Sequence, residues 1–407
     1  MKIGIIGFGK MGESIFKLFA PKSFSIQVVA ETEAQASEAG HSWFKRMERS
    51  AKRGSISSEE LAQKKESIRF SHQLEDLSSA DVVIEAAFEN LAVKTDIFQR
   101  LESIVRPDTF LTTNTSSLSI RQLADGLTHR DRFCGFHFFY PVPLINLIEV
   151  IRCDHTQQPV IDCLVQLAKT IDRHPIIVQD APGSVINNIL AYYYVEALYI
   201  LQDGLALPSR IDEIARRFCY IGPCESIDVV GIDFFISALE NAVTAGTNYP
   251  ITWKKNNGRK YSQENVFPYP VLFDRLIENN RLGKKTGKGI YLYDRELQAN
   301  DTMAFYSPEH PNGPLLSEEA IDQMITDRLI YAILNGSIFS LKQHMASMPD
   351  LNRGIQEILH MKKGPFSFIQ DRGTEHIAQK FDQLSHEAGK RFYQSDLSCL
   401  KDMSCIR

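Results

Sequence analysis

The 407-residue chain has few cysteines and little net charge, and each shortage excludes a class of protein. Its seven cysteines are odd in number and form no C-x-x-C pair, which excludes a disulfide scaffold and a structural zinc site and favours a reducing compartment. Lysine and arginine together number 45 against 50 acidic residues, so the net charge of -5 provides no overall positive field for nucleic acid. We therefore expect a small-molecule or protein partner.

The sequence also lacks a clean apolar run that would predict a membrane span. The longest such run, residues 185–207, is interrupted by polar side chains, among them Asn187, Glu196 and Asp203. The chain opens directly with a predicted strand, MKIGIIG, which leaves no room for the charged leader and cleavage site of a signal peptide. These features predict a cytoplasmic protein without a membrane or nucleic-acid partner and without a metal centre.

The first 180 residues alternate short apolar runs with helical patterns, which is typical of a parallel sheet covered on both faces. Seven strands are predicted, at Lys2–Ile6, Ile26–Ala30, Asp81–Ala86, Phe110–Asn114, Arg132–Phe138, Leu147–Ile151 and Pro175–Val178. Helices are predicted at Met11–Ala20, Leu91–Val105 and Gln157–Ile171, each with apolar residues at helical spacing or a proline beyond its end. The polar insertion between the second and third predicted strands, residues 33–71, predicts a helical hairpin.

Beyond Ala181 the strand patterns stop, and apolar residues recur at the i, i+3, i+4 spacing of helices. We therefore predict an α/β domain over residues 1–181, an all-helical domain over 182–296, a linker at 297–317 and a second helical unit over 318–407. In the two helical units, Pro208 and Pro349 are followed by Gly-Pro pairs at nearly equal intervals. We interpret the last unit as a duplicate of the one before it, with chance similarity of helical hairpins as the alternative.

A glycine motif, Gly7-Phe8-Gly9-Lys10-Met11-Gly12, follows the first predicted strand and opens the first helix. In this context Gly7 allows a tight turn, Gly9 lets the backbone approach a pyrophosphate, and Gly12 allows close packing of the helix. Glu31 ends the second strand about 20 residues further on, where a carboxylate accepts from ribose hydroxyls, and no arginine follows to hold a 2′-phosphate. The motif predicts a Rossmann-type domain that binds NAD, and a glycine turn that binds nothing is the alternative.

Six segments resemble the L-3-hydroxyacyl-CoA dehydrogenase family in order and spacing: VIEAAFENLAVK, NTSSLSI, GFHFFYPVPLINLIEVI, DAPGSVINN, IGPCESIDVVGID and RLGKKTGKGIYLYD. The resemblance covers the chain from residue 1 to about residue 294. The last unit resembles, more faintly, the second C-terminal helical domain of multifunctional fatty-acid oxidation enzymes. The resemblance implies a Rossmann-type domain followed by all-α domains, and NAD-dependent oxidation of an L-3-hydroxyacyl-CoA to a 3-ketoacyl-CoA.

Removal of the hydroxyl proton in such an oxidation needs a base, and a histidine held by a carboxylate is an oriented general base. The resemblance places these roles on His137 and Glu149, for which a buried structural pair is the alternative. It also implies that Ser116 and Asn187 hydrogen-bond the substrate. Without the family, Ser116 would be a helix-capping hydroxyl and Asn187 a residue of a first helical turn.

The resemblance extends to the cofactor and to CoA. Glu89, Asn90 and Lys94 match a family segment near the nicotinamide, although an exposed helix start with a salt bridge would look the same. The basic helical face with Lys45, Arg46 and Arg49 corresponds to a region that binds the CoA phosphates, although such faces are usually just solvated. The predicted cofactor site comprises Gly7, Gly9, Lys10, Met11, Gly12, Glu31, Glu89, Lys94 and Asn114.

Three residues depart from the family pattern beside the expected site. Tyr140 replaces the asparagine of HFFNP, and Ser184 and Asn188 replace a phenylalanine and an arginine of PGFxVNR. Two further functions stay open: a dehydrogenase for a carrier-protein-bound hydroxyacyl group or a sugar acid, and an NAD-binding relative without turnover. The family's helical domain commonly dimerises and a second copy can imitate the partner's, so a monomer or a homodimer is expected; association with other acyl-CoA enzymes stays open.

Overall fold

In the computed structural model the chain forms two compact units, Met1–Ala181 and Pro182–Arg407. The structure describes residues 1–181, 183–236, 270–294, 299–300, 317–388 and 397–400. The expected linker at 297–317 lies largely outside these residues, and so does the part of the predicted helical domain at 237–269.

The first unit contains one sheet whose strands are β1 Lys2–Ile6, β2 Ser25–Val29, β3 Ile68–Ser71, β4 Val82–Glu85, β5 Phe110–Thr113, β6 Phe133–Phe138, β7 Leu147–Arg152 and β8 His174–Gln179. Their order across the sheet is β3-β2-β1-β4-β5-β6-β7-β8. All seven predicted strands form within one residue of their predicted bounds. Because the strand order reverses between β1 and β4, a crevice opens at the carboxyl ends of these two strands, where such sheets bind their ligands.

The helices of this unit are α1 Lys10–Phe19, α2 Glu33–Lys52, α3 Ser58–Ser67, α4 Leu91–Ile104, α5 Ile120–Ala124 and α6 Gln158–Thr170, with 3₁₀ turns at Leu74–Leu77 and Arg130–Arg132. The three predicted helices form as α1, α4 and α6. Helices α2 and α3 form the expected hairpin, and each begins at a capping hydroxyl: Thr32 accepts from the Gln35 amide and Ser57 from the Glu60 amide.

Two expectations for this unit were wrong. The end of the expected hairpin, Ile68–Ser71, is strand β3, which pairs in parallel with β2 at the edge of the sheet. The sheet is also not wholly parallel, because β7 runs antiparallel to β6. The segment that joins β6 to β7, residues 139–146, is shorter than the dozen or so residues that a parallel crossover requires.

The core of the first unit lies on both faces of the sheet. Ile5, Ile84 and Phe136 are fully buried in the sheet, and Phe16 of α1 and Leu164 of α6 belong to the same apolar cluster. Each such side chain contributes about 1.5–3 kcal/mol by leaving water, which holds the strand ends in place for the site described below.

The second unit is mainly helical: α7 Val185–Gln202, α8 Pro208–Ala215, α9 Pro223–Val230, α10 Val271–Glu278, α11 Glu318–Lys342, α12 Met348–Leu359, α13 Ser367–Arg372 and α14 Thr374–Glu387, with 3₁₀ turns at Lys284–Thr286 and Leu397–Leu400. A short antiparallel pair, β9 Leu292–Tyr293 with β10 Ala299–Asn300, departs from the helices-only expectation. Buried Arg328 of α11 pairs with Glu196 of α7 at 2.5 Å and with Asp203 at 2.8 Å. Of the helices described, none is long and apolar enough to cross a membrane.

Candidate active site

The turn between β1 and α1 has the geometry of the predicted dinucleotide motif. Gly7 has a φ of 88°, in the region that favours glycine. A Cβ at Gly12 would lie 2.0 Å from the Gly7 carbonyl oxygen, so a side chain there would push α1 away from β1. A Cβ at Gly9 would meet nothing within 4 Å, so the backbone at Gly9 faces open space. The three glycines therefore match the turn, the packing contact and the open approach that the motif requires.

The start of α1 offers backbone donors beside this open space. Its first hydrogen bond runs from the Glu13 amide to the Gly9 carbonyl at 2.9 Å, so the amides of residues 10–12 precede the intrahelical ladder and are available to a phosphate. Glu31 lies exposed just beyond β2, and its backbone amide donates to the Gln35 side chain at 3.1 Å. This part of the site fits a dinucleotide with a free ribose diol, because it combines an open glycine backbone, a helix N-terminus and an exposed carboxylate at neighbouring strand ends.

Three charged side chains meet at the carboxyl end of β4. Lys94 Nζ lies 2.7 Å from Glu85 Oε1 and 3.3 Å from Glu89 Oε2, and the Lys94 and Glu85 side chains are 1% and 0% exposed. Burial raises the pKa of Glu89, but Lys94 and the hydroxyls of Thr115 and Ser117 outweigh this effect and hold the pKa below its ordinary value. Glu89 is therefore a carboxylate that its neighbours hold in one position.

Glu89 in turn fixes the loop after β5. Its Oε1 atom accepts hydrogen bonds from the Thr115 hydroxyl at 2.5 Å and from the amides of Ser116 and Ser117 at 3.1 Å each. Asn114, at the end of the same strand, accepts from the Phe138 amide through its Oδ1 atom at 2.8 Å. The structure thus brings four predicted residues together at the carboxyl ends of the neighbouring strands β4 and β5: Glu89, Lys94, Asn114 and Ser116.

His137 of β6 and Glu149 of β7 form the expected pair. The two are direct partners in the antiparallel ladder, and His137 Nδ1 lies 2.8 Å from Glu149 Oε2. Their exposed fractions are 3% and 0%. We assign the Nδ1 proton from this contact, because a carboxylate accepts and Nδ1 must therefore donate in the neutral ring. The other ring nitrogen, Nε2, then carries a lone pair and can take a proton.

The family departures fall in two places. Tyr140, 63% exposed, lies just beyond β6 in the first unit, and its peptide bond to Pro141 is cis. In the second unit Ser184 has a φ of 65° and caps α7 by accepting from the Asn187 amide at 3.4 Å, while Asn188 is buried. Asn187 thus lies in a first helical turn.

The predicted CoA residues lie on one helix. Lys45, Arg46 and Arg49 are all exposed on α2. A groove between α2 and β3 runs beside them and is lined in part by Gly40, Phe44, Lys65, Arg69 and Phe70. The groove combines aromatic surface with cationic side chains.

Sequence reasoning missed Glu85. A lone carboxylate ends the buried run Val82–Glu85, and an acidic residue at the carboxyl end of a central strand is a signal of a site residue that could have been used. Within the ranges that the structure describes, the histidine, cysteine, aspartate and glutamate side chains form no group of three or more that could hold a metal ion.

A sheet with this strand order, an open glycine turn, a carboxylate after β2 and a histidine oriented by glutamate defines a dinucleotide-dependent dehydrogenase. Two family models match the chain: "3-hydroxyacyl-CoA dehydrogenase, NAD binding domain" over residues 2–181 and "3-hydroxyacyl-CoA dehydrogenase, C-terminal domain" over residues 183–293. The chain belongs to the 3-hydroxyacyl-CoA dehydrogenase family. The expected Rossmann-type domain followed by a helical domain, the cofactor NAD and the oxidoreductase class are confirmed, and the duplication of the helical domain stays a prediction.

Individual relatives agree with this assignment. The mitochondrial hydroxyacyl-coenzyme A dehydrogenase of Sus scrofa is 32% identical over 299 residues, which cover 72% of this chain and 90% of that protein. The 3-hydroxybutyryl-CoA dehydrogenase of Clostridioides difficile is 30% identical over 297 residues, 72% of this chain and 100% of that one. A crystal structure of 3-hydroxybutyryl-CoA dehydrogenase from Escherichia coli K12 shares the fold with a TM-score of 0.79 at 23% identity, covering 98% of this chain and 97% of the other.

Proposed function

We propose that this protein oxidises an L-3-hydroxyacyl-CoA to the 3-ketoacyl-CoA with NAD, and that it catalyses the reverse reduction. The observation that carries the proposal is the buried His137–Glu149 contact, in a domain whose β1–α1 turn fits a dinucleotide. The family takes its name, 3-hydroxyacyl-CoA dehydrogenase, from this reaction.

His137 acts as the general base. Its Nε2 atom takes the proton of the substrate's 3-hydroxyl, while the Nδ1 proton stays in its hydrogen bond to Glu149. The Glu149 carboxylate then faces an imidazolium, whose charge it stabilises inside a buried site. In the reverse direction the same Nε2 atom returns the proton to the carbonyl oxygen.

The cofactor is held by the first unit. The amides at the start of α1 bind the pyrophosphate, the Gly9 backbone leaves room for it, and Glu31 accepts from the adenosine ribose hydroxyls. We assign Glu89 and Lys94 to the nicotinamide half of the cofactor from the family resemblance, and we keep Asn114 in the cofactor site. When bound, NAD supplies the acceptor for the hydride that leaves substrate carbon 3.

We assign substrate-binding roles to Ser116 of the first unit and to Asn187 of the second, each from the family resemblance. The Ser116 backbone is anchored by Glu89, so its hydroxyl is presented from a fixed loop. We assign Asn187, in the first turn of α7, as the second donor from the family resemblance. Such donors position the hydroxyl for proton removal and stabilise the charge that develops on oxygen.

The exposed cations Lys45, Arg46 and Arg49 bind the phosphates of CoA in this proposal. We propose a cytoplasmic location, because seven cysteines without a C-x-x-C pair favour a reducing compartment. We keep the expected monomer or homodimer as the assembly, with docking to other acyl-CoA enzymes left open.

Two matching turns support the proposal that the last helical unit is a duplicate. Asp212 Oδ1 accepts from the Cys224 amide at 2.8 Å, directly after the first Gly-Pro pair. Asn352 Oδ1 accepts from the Phe366 amide at 2.9 Å, directly after the second pair. Glycines with φ of 98° and 82° then end α9 and α13. Chance similarity of helical hairpins does not require the same side-chain contact at the same position of both turns.

The direct test of the function is the consumption of NADH with acetoacetyl-CoA by the wild type and by His137→Ala. We expect turnover in the wild type and a loss of about 100-fold or more in the variant, since general base catalysis contributes that much. His155→Ala, a substitution of an exposed histidine, is the matched control and should keep full activity. Binding of NADH by the wild type without turnover would instead favour a carrier-protein or sugar-acid substrate, or a non-catalytic protein.

A further inference from the structure

The charged cluster at the carboxyl end of β4 has an unbalanced charge. Glu85 Oε1 accepts from Lys94 Nζ at 2.7 Å and from the Ala87 amide at 2.6 Å, and Glu85 Oε2 accepts from the Thr113 hydroxyl at 2.6 Å. The Thr113 hydroxyl itself accepts from the Thr115 amide at 3.3 Å, so its own proton is directed to Glu85. Both oxygens of Glu85 are acceptors, as in an ionised carboxylate.

Glu89 is bonded in the same way. Its Oε1 atom accepts from the Thr115 and Ser117 hydroxyls at 2.5 and 2.8 Å, and its Oε2 atom faces Lys94 Nζ at 3.3 Å. The cluster therefore sets one ammonium against two carboxylates and carries one net negative charge. Since Glu85 and Lys94 are buried, water screens this charge poorly.

The cluster lies where the strand order reverses. Glu85 is the register partner of Ile6 at the end of β1, next to the glycine turn. A Cβ at Gly7 would lie 2.6 Å from the carbonyl oxygen of Ala86, the residue after Glu85. The net negative charge therefore borders the crevice in which a dinucleotide binds in this sheet topology.

We propose that Glu85, Lys94 and Glu89 form an electrostatic cluster that sets the relative affinity of the site for oxidised and reduced cofactor. The nicotinamide ring is positively charged in NAD+ and neutral in NADH, so a net negative charge that borders the crevice favours NAD+. The proposal rests on the proposed function, because it requires NAD to bind in the crevice. In this proposal Lys94 neutralises one of the two carboxylates. Glu85 is remote from the solvent and acts on the nicotinamide through its electrostatic field and through its ion pair with Lys94.

The test compares dissociation constants of NAD+ and NADH, measured by calorimetry at one ionic strength. In Glu85→Gln the cluster becomes neutral, and we expect the NAD+ affinity to fall by about tenfold relative to the NADH affinity. The glutamine has nearly the same shape, so a purely structural role would change both affinities together. A ratio within about twofold of the wild-type value would overturn the proposal.

A double variant separates charge from structure. Glu85→Gln with Lys94→Met removes the buried ion pair but leaves Glu89 and hence the original net charge, and such replacements of buried pairs are often tolerated. We expect its affinity ratio to return toward the wild-type ratio. A ratio no closer to the wild type than that of Glu85→Gln alone would contradict the electrostatic role.

The matched control removes a carboxylate from the opposite end of the same strand. Asp81, just before β4, bonds to Arg106 and to the Lys2 amide at 2.7 Å each. Asp81→Asn should leave the affinity ratio unchanged, and an equal shift there would overturn the proposal. If Glu85→Gln does not fold, Glu89→Gln makes the same change of charge at a more exposed position and should shift the ratio in the same direction; an unshifted ratio would then overturn it. Binding of neither nucleotide by the wild type would instead refute the proposed function.

Discussion

His137 and Glu149 are directly opposite residues of an antiparallel strand pair, and their side chains meet at 2.8 Å between Nδ1 and Oε2. Opposite residues in such a pair have Cβ atoms about 4.5–5.5 Å apart, so the ladder itself sets the distance between imidazole and carboxylate. The contact therefore depends on the reversal of direction between β6 and β7. This reversal brings into contact two residues that are separated along the chain, as our proposed base and its orienting carboxylate require.

Replacement of Glu149, the proposed orienting group, tests this relationship. In Glu149→Gln the amide still accepts from Nδ1, but it no longer stabilises an imidazolium. We expect kcat to fall by about 100-fold or more with little change in the KM for acetoacetyl-CoA. Steady-state kinetics of NADH consumption measure both constants. Glu48→Gln, which changes a half-buried glutamate paired with Lys65, is the control. An unchanged kcat in Glu149→Gln would mean that the pair is structural.

The glycine turn offers a matched pair of substitutions. Gly12→Ala places a methyl group 2.0 Å from the Gly7 carbonyl oxygen, so α1 must shift and the free energy of unfolding should fall by about 1–3 kcal/mol. Gly9→Ala meets no protein atom within 4 Å, so we expect unchanged stability but weaker NADH binding, because the methyl group occupies the approach of the pyrophosphate. Thermal denaturation and NADH titration of both variants separate the two effects. Wild-type NADH affinity in Gly9→Ala would contradict the assigned role.

Local patterns predicted most of the sheet because seven strands are apolar runs of ordinary length between turn signals. Strand β3 was not predicted, because its residues, Ile-Arg-Phe-Ser, continue a polar helical segment and bury mainly one side chain, Ile68. The antiparallel direction of β7 was not predicted either, although the segment after Phe138 is too short for a parallel crossover. Direction is a property of the connection between strands, and residue composition does not report it.

The residues of the candidate site likewise divide into those that the sequence predicts and those that it does not. The glycines, Glu31, His137 and Glu149 were predictable because a motif or a family pattern marks their positions. Glu85 was not predictable, because the charged cluster that it belongs to depends on its contact with Lys94. Lys94 lies in the first turn of a different element, helix α4. Contacts between side chains of different elements arise from tertiary packing, and spacing along one chain does not encode them.

Buried Asp212 predicts a pH dependence of stability. Burial raises its pKa from 3.8 to about 6, even though the Cys224 and Glu225 amides donate to it. The folded state therefore keeps a proton that the unfolded state releases, so the contribution of Asp212 to the free energy of unfolding is largest below about pH 4 and falls as the pH rises to about 6. The shift corresponds to a loss of roughly 3 kcal/mol.

Urea unfolding of the wild type and of Asp212→Asn across this pH range measures the contribution. The variant should be less stable overall, because an amide cannot accept from both backbone donors, and its stability should lack this part of the pH slope. Asp228, whose pKa burial also raises, remains in both proteins and cancels in the difference. A difference between the two proteins that stays constant with pH would refute the assignment.

The basic face of α2 predicts a dependence on the nucleotide part of the substrate. Arg46 and Arg49 are exposed and distant along the chain from His137 and Glu149, so removal of both should affect binding and leave the chemical step unchanged. We expect Arg46→Ala with Arg49→Ala to raise the KM for acetoacetyl-CoA by roughly fivefold to tenfold at low salt, with unchanged kcat, because two phosphate contacts are lost. The KM for the acetoacetyl thioester of N-acetylcysteamine, which lacks the nucleotide, should not change. Lys17→Ala, at an exposed lysine of α1 paired with Glu13, controls for loss of surface charge. If both thioesters respond equally, or neither responds, these cations do not bind the CoA phosphates and the face is only solvated.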